Sequence, residues 1–160
     1  SDWKTRGARQ AEQIEVMNRL WTEELVTYKG RFHDFHEVNI TPLPVQRPIP
    51  IWFGGDSDPV IRRAARYGQG WMPILTPDEQ AESKLAMLRH HLTAFGRDPD
   101  NFGIEGLLRM NEADPDQWST GVEGWRRLGA DIVMLYPMYR TPNLDDQIQT
   151  LRTFKEIVTG

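Results

Sequence analysis

The stretch IPIWFGGDSDPVIRRAARYGQGWMPI, residues 49–74, decides the fold of this chain. It opens with a short apolar run, 49–53, which is typical of a buried strand. The pair Gly54-Gly55 then leads into a helix whose apolar residues recur at helical spacing and whose first turn holds Pro59. A second short strand follows at 70–74. A strand, a glycine turn, a helix and a further strand indicate a parallel sheet with helical crossovers.

The same alternation continues to the end of the chain. Further strands are predicted at 102–110 and 131–136, and the remaining helices at about 76–95, 115–128 and 144–158. The sequence therefore predicts an α/β fold of parallel strands with flanking helices. We expect a single domain, 1–160, made of a helix over 1–22, an extended excursion over 23–48 and four βα units over 49–160. In the excursion, β-formers surround a Lys29-Gly30 turn, and prolines then exclude helix.

Composition limits the classes of partner. The chain has 160 residues, 39% hydrophobic and 26% charged, with a net charge of −4 and no cysteine. These values are typical of a globular protein and exclude disulfides and thiolate metal sites. Basic residues are scattered, so nucleic acid is not an expected partner. No run approaches the roughly 18 apolar residues of a membrane-spanning helix. We expect a cytoplasmic protein that acts on a small-molecule substrate.

The loop of Gly54, Gly55, Asp56 and Ser57 is the clearest candidate site. It connects the end of a parallel strand to a helix N-terminus, where glycines let backbone N–H groups approach an anion and the helix dipole attracts it. Ser57 either adds a hydroxyl donor or is only the residue that caps the helix. The charge of Asp56 must point away from any bound phosphate. The alternative interpretation is a tight turn without a ligand.

Several segments together resemble the bacterial luciferase-like monooxygenase family. The matching pieces cover the first 75 residues densely, and the later βα units continue in the family's order. They are Arg6-Gly7, Glu12, Glu15, Leu20-Trp21-Thr22, 28–32, 44–55 and 64–71.

The resemblance implies half of a (β/α)₈ barrel, a fold that takes about 250 residues when complete. The four strands correspond to the fifth to eighth of the barrel, and the first four lie outside this chain. The resemblance also implies an oxidoreductase whose Gly54–Ser57 loop contacts the phosphate of FMN or coenzyme F420. F420-dependent hydride transfer is favoured over FMN-dependent monooxygenation. No catalytic residue is assigned, because in that family several catalytic groups come from the first four strands.

Other candidate residues each have a structural alternative. The alignment places Arg6 near the top of the barrel, where it could pair with an acidic group of the cofactor or substrate, or simply be solvated at a helix start. Trp71 could line a ring pocket, although packing is the commoner role. Arg109, Tyr136, Tyr139 and Arg140 lie at or beyond the last two strand ends, where they could close over a ligand or form ordinary loops.

A metal site is not expected. His33 and His36 are spaced as in some metal motifs, but they lie in a loop-like segment without an evident third ligand. The sequence also contains neither a nucleophile elbow nor a Walker A or Rossmann motif.

Two alternatives to the oxidoreductase remain open. One is a catalytically inactive remnant that acts as a binding or oligomerisation module, and the other is a phosphosugar-binding barrel half. A half-barrel exposes two strand edges and an apolar inner face. We therefore expect a homodimer or a higher homo-oligomer.

Overall fold

The computed structural model describes residues 3–109, 115–136 and 143–159. The chain divides into two compact units, Ser1–Ile51 and Trp52–Gly160. This division falls close to the predicted end of the extended excursion at residue 48, while the single domain over 1–160 stays a prediction. Tyr139 and Arg140 lie outside the described residues.

The first unit consists of a helix and a β-hairpin. A short 3₁₀ helix, Trp3–Thr5, precedes α1 (Arg6–Thr22), and β1 (Val26–Lys29) pairs antiparallel with β2 (Asp34–Val38). Apolar side chains of α1 and the hairpin form its small core, namely Val16, Leu20, Val26, Tyr28 and Phe35. The hairpin lies within the predicted excursion. Most residues of β2 are polar and exposed, so its sequence gives a weak strand signal, and pairing with β1 extends it.

The Glu12 carboxylate holds the hairpin turn against α1. Its oxygens accept hydrogen bonds from the backbone N–H groups of Arg31, Phe32 and His33 at 2.8–2.9 Å, and the His33 Nδ1 lies 2.9 Å away. A Cβ atom at Gly30 would lie 2.5 Å from a Glu12 oxygen, so a larger residue there would displace the Glu12 carboxylate. Desolvation raises the pKa of Glu12, but the hydrogen bonds outweigh it and leave that pKa below its ordinary value.

The second unit is a four-stranded parallel sheet with the strand order β3-β4-β5-β6. The strands are β3 (Trp52–Gly54), β4 (Gly70–Met72), β5 (Gly103–Arg109) and β6 (Ile132–Tyr136). The helices are α2 (Asp58–Tyr67), α3 (Glu79–Ala94), α4 (Pro115–Arg127) and α5 (Leu144–Thr159), and a 3₁₀ turn, Pro99–Asn101, precedes β5. The predicted α/β fold with parallel strands and flanking helices is confirmed.

Glycines in the sheet make room for tryptophans. The Trp52 indole lies across Gly70 and Gly103, where any Cβ atom would collide with it. On the other face, Trp125 of α4 lies against Gly106 and donates a hydrogen bond to the Leu107 carbonyl at 3.1 Å. Large aromatic side chains thus fill both faces of strands that are too short to bury much by themselves.

Helix α3 begins where its capping chemistry predicts. The Asp78 carboxylate accepts hydrogen bonds from the N–H groups of Gln80 and Ala81, at 2.9 and 3.1 Å. Its apolar stripe of Ala81, Leu85, Leu88 and Leu92 is buried. Among the described residues, no helix has the length and apolar character needed to cross a lipid bilayer.

Replacement of Glu12 by Gln should lower the melting temperature at neutral pH. The folded state lowers the pKa of Glu12, so its carboxylate contributes stability above the unfolded-state pKa, and this contribution disappears as pH falls through the folded-state pKa. The difference in Tm between parent and variant should therefore shrink in acid. Thermal unfolding followed by circular dichroism at a series of pH values measures it.

The matched control is Glu24→Gln, because Glu24 is an exposed glutamate. We expect this variant to melt close to the parent at every pH. An equal loss in both variants, or a Glu12→Gln loss that persists in acid, would contradict the role assigned to the Glu12 carboxylate.

Candidate functional site

The loop Gly54–Ser57 lies at the carboxyl edge of the parallel sheet, between β3 and α2. Ligands of α/β proteins bind at this edge because loops and helix N-termini converge there. Gly55 has a φ of +103°, a conformation that side chains with a Cβ atom rarely adopt. The path of the loop therefore depends on glycine at this position.

Both backbone groups of Gly55 are tied to β4. Its N–H donates to the Met72 carbonyl at 3.3 Å, and its carbonyl accepts a hydrogen bond from the Trp71 indole Nε1 at 2.6 Å. Trp71 is fully buried, so its indole is held by packing. The two bonds hold the loop against β4.

The next two backbone N–H groups take no part in this network. No acceptor among the described residues is bonded to the N–H of Asp56 or Ser57. Ser57 is the N-cap residue of α2, but its hydroxyl forms no capping hydrogen bond and the residue is exposed. Open amides at the N-terminus of a helix form a binding site for one small anion.

Two carboxylates lie close to this anion position. Asp58, in the first turn of α2, pairs with Lys84 Nζ at 2.6 Å, and this hydrogen bond lowers the pKa of Asp58 below its ordinary value. Asp56 is exposed and has no ion-pair partner among the described residues. Lys84 therefore offsets one of the two charges, and the loop accepts an anion only if Asp56 faces solvent.

A cavity of about 480 Å³ opens beside the loop on the face of the sheet opposite α4, which is called the inner face below. Gly54 forms part of its wall, so the cavity and the loop are continuous. Its size falls within the range of small-molecule sites. Its described lining is mostly apolar, apart from Glu105, Arg109 and Tyr136, and consists of Gly54, Met72, Pro73, Ile74, Glu105, Leu107, Arg109, Met134 and Tyr136.

A larger cavity of about 760 Å³ lies between the segment 74–77, the end of β5 and helix α4. It does not include the Gly54–Ser57 loop, and Arg109 borders both cavities. The smaller cavity, whose wall includes Gly54, is therefore the candidate that adjoins the loop.

The structure brings some of the predicted residues together. Gly54, Gly55, Asp56 and Ser57 form one loop, and Trp71 bonds to that loop from a buried position in the packing between sheet and helices. Arg6 begins α1 in the first unit and is exposed. The assignment of these six residues to a cofactor site stays a prediction.

The cavity lining includes residues that the sequence predicted and residues that it did not. Arg109 and Tyr136 line the cavity, whereas Glu105, Met72 and Met134 were not expected to do so. The sequence feature that could have identified Glu105 is its spacing, because alternation along β5 places it on the same face as Arg109.

His33 bonds to Glu12 and His36 is exposed. No cluster of three possible metal ligands occurs within 3–109, 115–136 and 143–159.

Comparison with known proteins identifies related sequences. The sequence model of the family described as luciferase-like monooxygenase matches residues 1–114. An uncharacterized protein of Mycobacterium tuberculosis is 28% identical over 162 residues, a match that covers 96% of this chain and 52% of that protein. An F420-dependent glucose-6-phosphate dehydrogenase of Segniliparus rotundus is 33% identical over 122 residues, covering 73% of this chain and 35% of that protein. The chain thus spans about half the length of the mycobacterial relative, and its match to the dehydrogenase spans about a third of that protein.

A solved structure shows the same fold. The monooxygenase RslO1 from Streptomyces bottropensis superimposes with a TM-score of 0.75 at 22% identity, covering 98% of this chain and 62% of that one. The four parallel βα units therefore correspond to part of a larger luciferase-like barrel, as the sequence resemblance implies.

Replacement of Trp71 by Phe should loosen the loop. The variant keeps most of the apolar volume but removes the N–H that bonds to the Gly55 carbonyl, so we expect a loss of about 1–3 kcal/mol in the free energy of unfolding. Amide hydrogen exchange at Gly55 should also become faster. Denaturant unfolding and exchange followed by NMR measure the two effects.

Trp125→Phe is the matched control, since Trp125 is equally buried and bonds to a different carbonyl. It should lower stability without changing exchange at Gly55. Unchanged exchange at Gly55 in Trp71→Phe would show that the indole does not hold the loop.

Proposed function

The chain belongs to the luciferase-like monooxygenase family, and from this membership we propose that its Gly54–Ser57 loop binds the phosphate of a deazaflavin or flavin cofactor of an oxidoreductase. The observation that carries the proposal is the fixed turn at Gly55. This turn ties Gly55 to β4 and leaves the N–H groups of Asp56 and Ser57 open at the start of α2.

The local chemistry of the loop is suited to a phosphate. The α2 dipole and two open amides supply partial positive charge, and the exposed Ser57 hydroxyl supplies another donor. Gly54 has no side chain to separate the loop from the cavity, and the nearest atom to a Cβ placed there is the Met72 methyl at 3.9 Å. A cofactor held by its phosphate on the loop would border the continuous cavity.

The bound cofactor would supply the redox chemistry, and the protein would orient it and exclude water from it. We propose coenzyme F420 and hydride transfer ahead of FMN and monooxygenation. The F420 dependence of the Segniliparus relative supports this order. A module that binds the cofactor without turnover is the alternative, and an assay of cofactor reduction or oxidation separates the two.

We further propose that a second copy covers the inner face of the 160-residue chain. Among the described residues, no strand pairs with the outer edge of β3 or of β6. Ile132 and Met134 of β6 are 49% and 37% exposed. Unpaired strand edges next to exposed apolar side chains favour association, and a second copy offers the complementary surface.

Cofactor binding is tested by fluorescence titration of the chain with F420 and with FMN. We expect saturable binding of F420, and a loss of about tenfold or more in affinity for Gly55→Asp, which adds a carboxylate and backbone strain at the phosphate position. Binding of FMN alone would assign the flavin branch. Binding of sugar phosphates in place of either cofactor would support a phosphosugar site.

Gly96→Asp is the matched control for this variant. Gly96 also has a positive φ, +70°, and no atom lies within 4 Å of a Cβ placed there. The two variants thus share the strain and the added charge, and differ in distance from the loop. Equal losses of cofactor affinity would mean that the loop does not bind the phosphate.

The oligomer is tested by size-exclusion chromatography with light scattering. We expect a dimer or a higher oligomer, and dissociation when Ile132 is replaced by Glu. The control is Val45→Glu, since Val45 is fully exposed in the first unit. A monodisperse monomer for the parent chain would contradict the proposal.

A further inference from the structure

The inner face of β5 carries two charged residues within an otherwise apolar cavity. Side chains that point into a (β/α)₈ barrel are usually bulky and apolar. Alternation along β5 places Gly103, Glu105, Leu107 and Arg109 on one face of the sheet, and the last three of these residues line the cavity. Glu105 and Arg109 are the charged members of the described cavity lining.

Neither charge is balanced by an ion pair in the described part of the chain. Glu105 is half-buried, and Arg109 is exposed at the end of the strand. Their Cα atoms lie four residues apart along the strand, about 13 Å, so the side chains do not pair with each other. A carboxylate beside apolar walls is costly unless a partner bonds to it.

Arg109 and the Gly54–Ser57 loop are separate points on the same edge of the sheet. Strand β4 lies between β3 and β5, and the register places Gly54 level with Glu105, four residues before Arg109. Gly54 and Arg109 are therefore separated by about 10 Å across the sheet and by about 13 Å along it. An anion on Arg109 is therefore distinct from a phosphate bound to the open amides of the loop.

We propose that the substrate of the oxidoreductase is an amphiphilic organic anion. The proposal rests on the cofactor function proposed above. The anionic group, a carboxylate or a phosphate, bonds to Arg109, and the apolar body lies against Met72, Leu107 and Met134. A hydroxyl at the far end of the substrate donates to Glu105.

The walls of the cavity favour an apolar body over a sugar. Met72, Pro73, Ile74, Leu107 and Met134 offer no side-chain hydrogen-bonding partners of ordinary strength. The hydroxyl groups of a sugar would lose water there without replacement. The proposed substrate class thus differs from the glucose 6-phosphate in the name of the Segniliparus relative.

Calorimetric titration of the 160-residue chain with octanoate and octanamide tests the role of Arg109. The two probes share their length and differ in charge. We expect octanoate to bind about tenfold tighter, because its carboxylate forms a charge-assisted hydrogen bond. Arg109→Met should abolish this preference, and Arg126→Met, which removes an exposed arginine of α4 outside both cavities, should retain it.

A second pair of probes tests Glu105. Omega-hydroxyoctanoate should bind more tightly than octanoate to the parent chain, and Glu105→Gln should reduce that advantage, because a neutral amide accepts a hydrogen bond less strongly than a carboxylate. Equal affinities for octanoate and octanamide, a preference that survives Arg109→Met, or tighter binding of glucose 6-phosphate than of octanoate would overturn the proposal.

Cofactor titrations of the same variants separate this proposal from the preceding one. Arg109→Met should bind F420 or FMN like the parent, and Gly55→Asp should keep the preference for octanoate. Loss of cofactor affinity in Arg109→Met would assign Arg109 to the cofactor and overturn the substrate proposal alone. An octanoate preference that depends on Arg109, in a chain that binds neither cofactor, would support the anion site and contradict the cofactor function.

Discussion

The hydrogen bond from the Trp71 indole to the Gly55 carbonyl joins the two features on which the candidate site depends. The donor, Trp71, is a fully buried side chain of β4, and the acceptor, Gly55, has a φ of +103° that favours glycine. Together with the bond from the Gly55 N–H to Met72, it turns the Gly55 carbonyl toward the sheet. As a result, the following amides are left open at the N-terminus of α2, where the helix dipole adds to their attraction for an anion.

The pairing of glycine with tryptophan recurs across the sheet. Trp52 covers Gly70 and Gly103, and Trp125 covers Gly106. Three of the four strands have only three to five residues, and such short strands bury little surface alone. Placing a large aromatic side chain over a residue without a Cβ atom gives β4 and β5 close, well-packed neighbours. Trp52 is not part of the described cavity lining. Glu105 and Arg109 face the cavity on the same side of the sheet, further along the strands.

Much of the fold could be predicted from the sequence because its signals are local. The helical spacing and the Asp78 cap determine α3, and Gly68 and Gly129 lie just beyond the ends of α2 and α4. The strand β2 was not predicted, because its polar residues extend only when paired with β1. Likewise, the residues around Glu12 do not predict its hydrogen bonds to the turn at 31–33, because that turn lies about twenty residues further along the chain.

The sequence by itself determined the order of the βα units, the parallel sheet and the position of the glycine loop at a strand end. These follow from the spacing of apolar residues and from the conformations that glycine and proline allow, which are properties of neighbouring residues. Only the tertiary structure decided that Trp71 bonds to the loop from a buried position and that Glu105 shares a cavity with Met72 and Met134. Those relations depend on strand register and on which face each side chain takes, and contacts between distant segments set both.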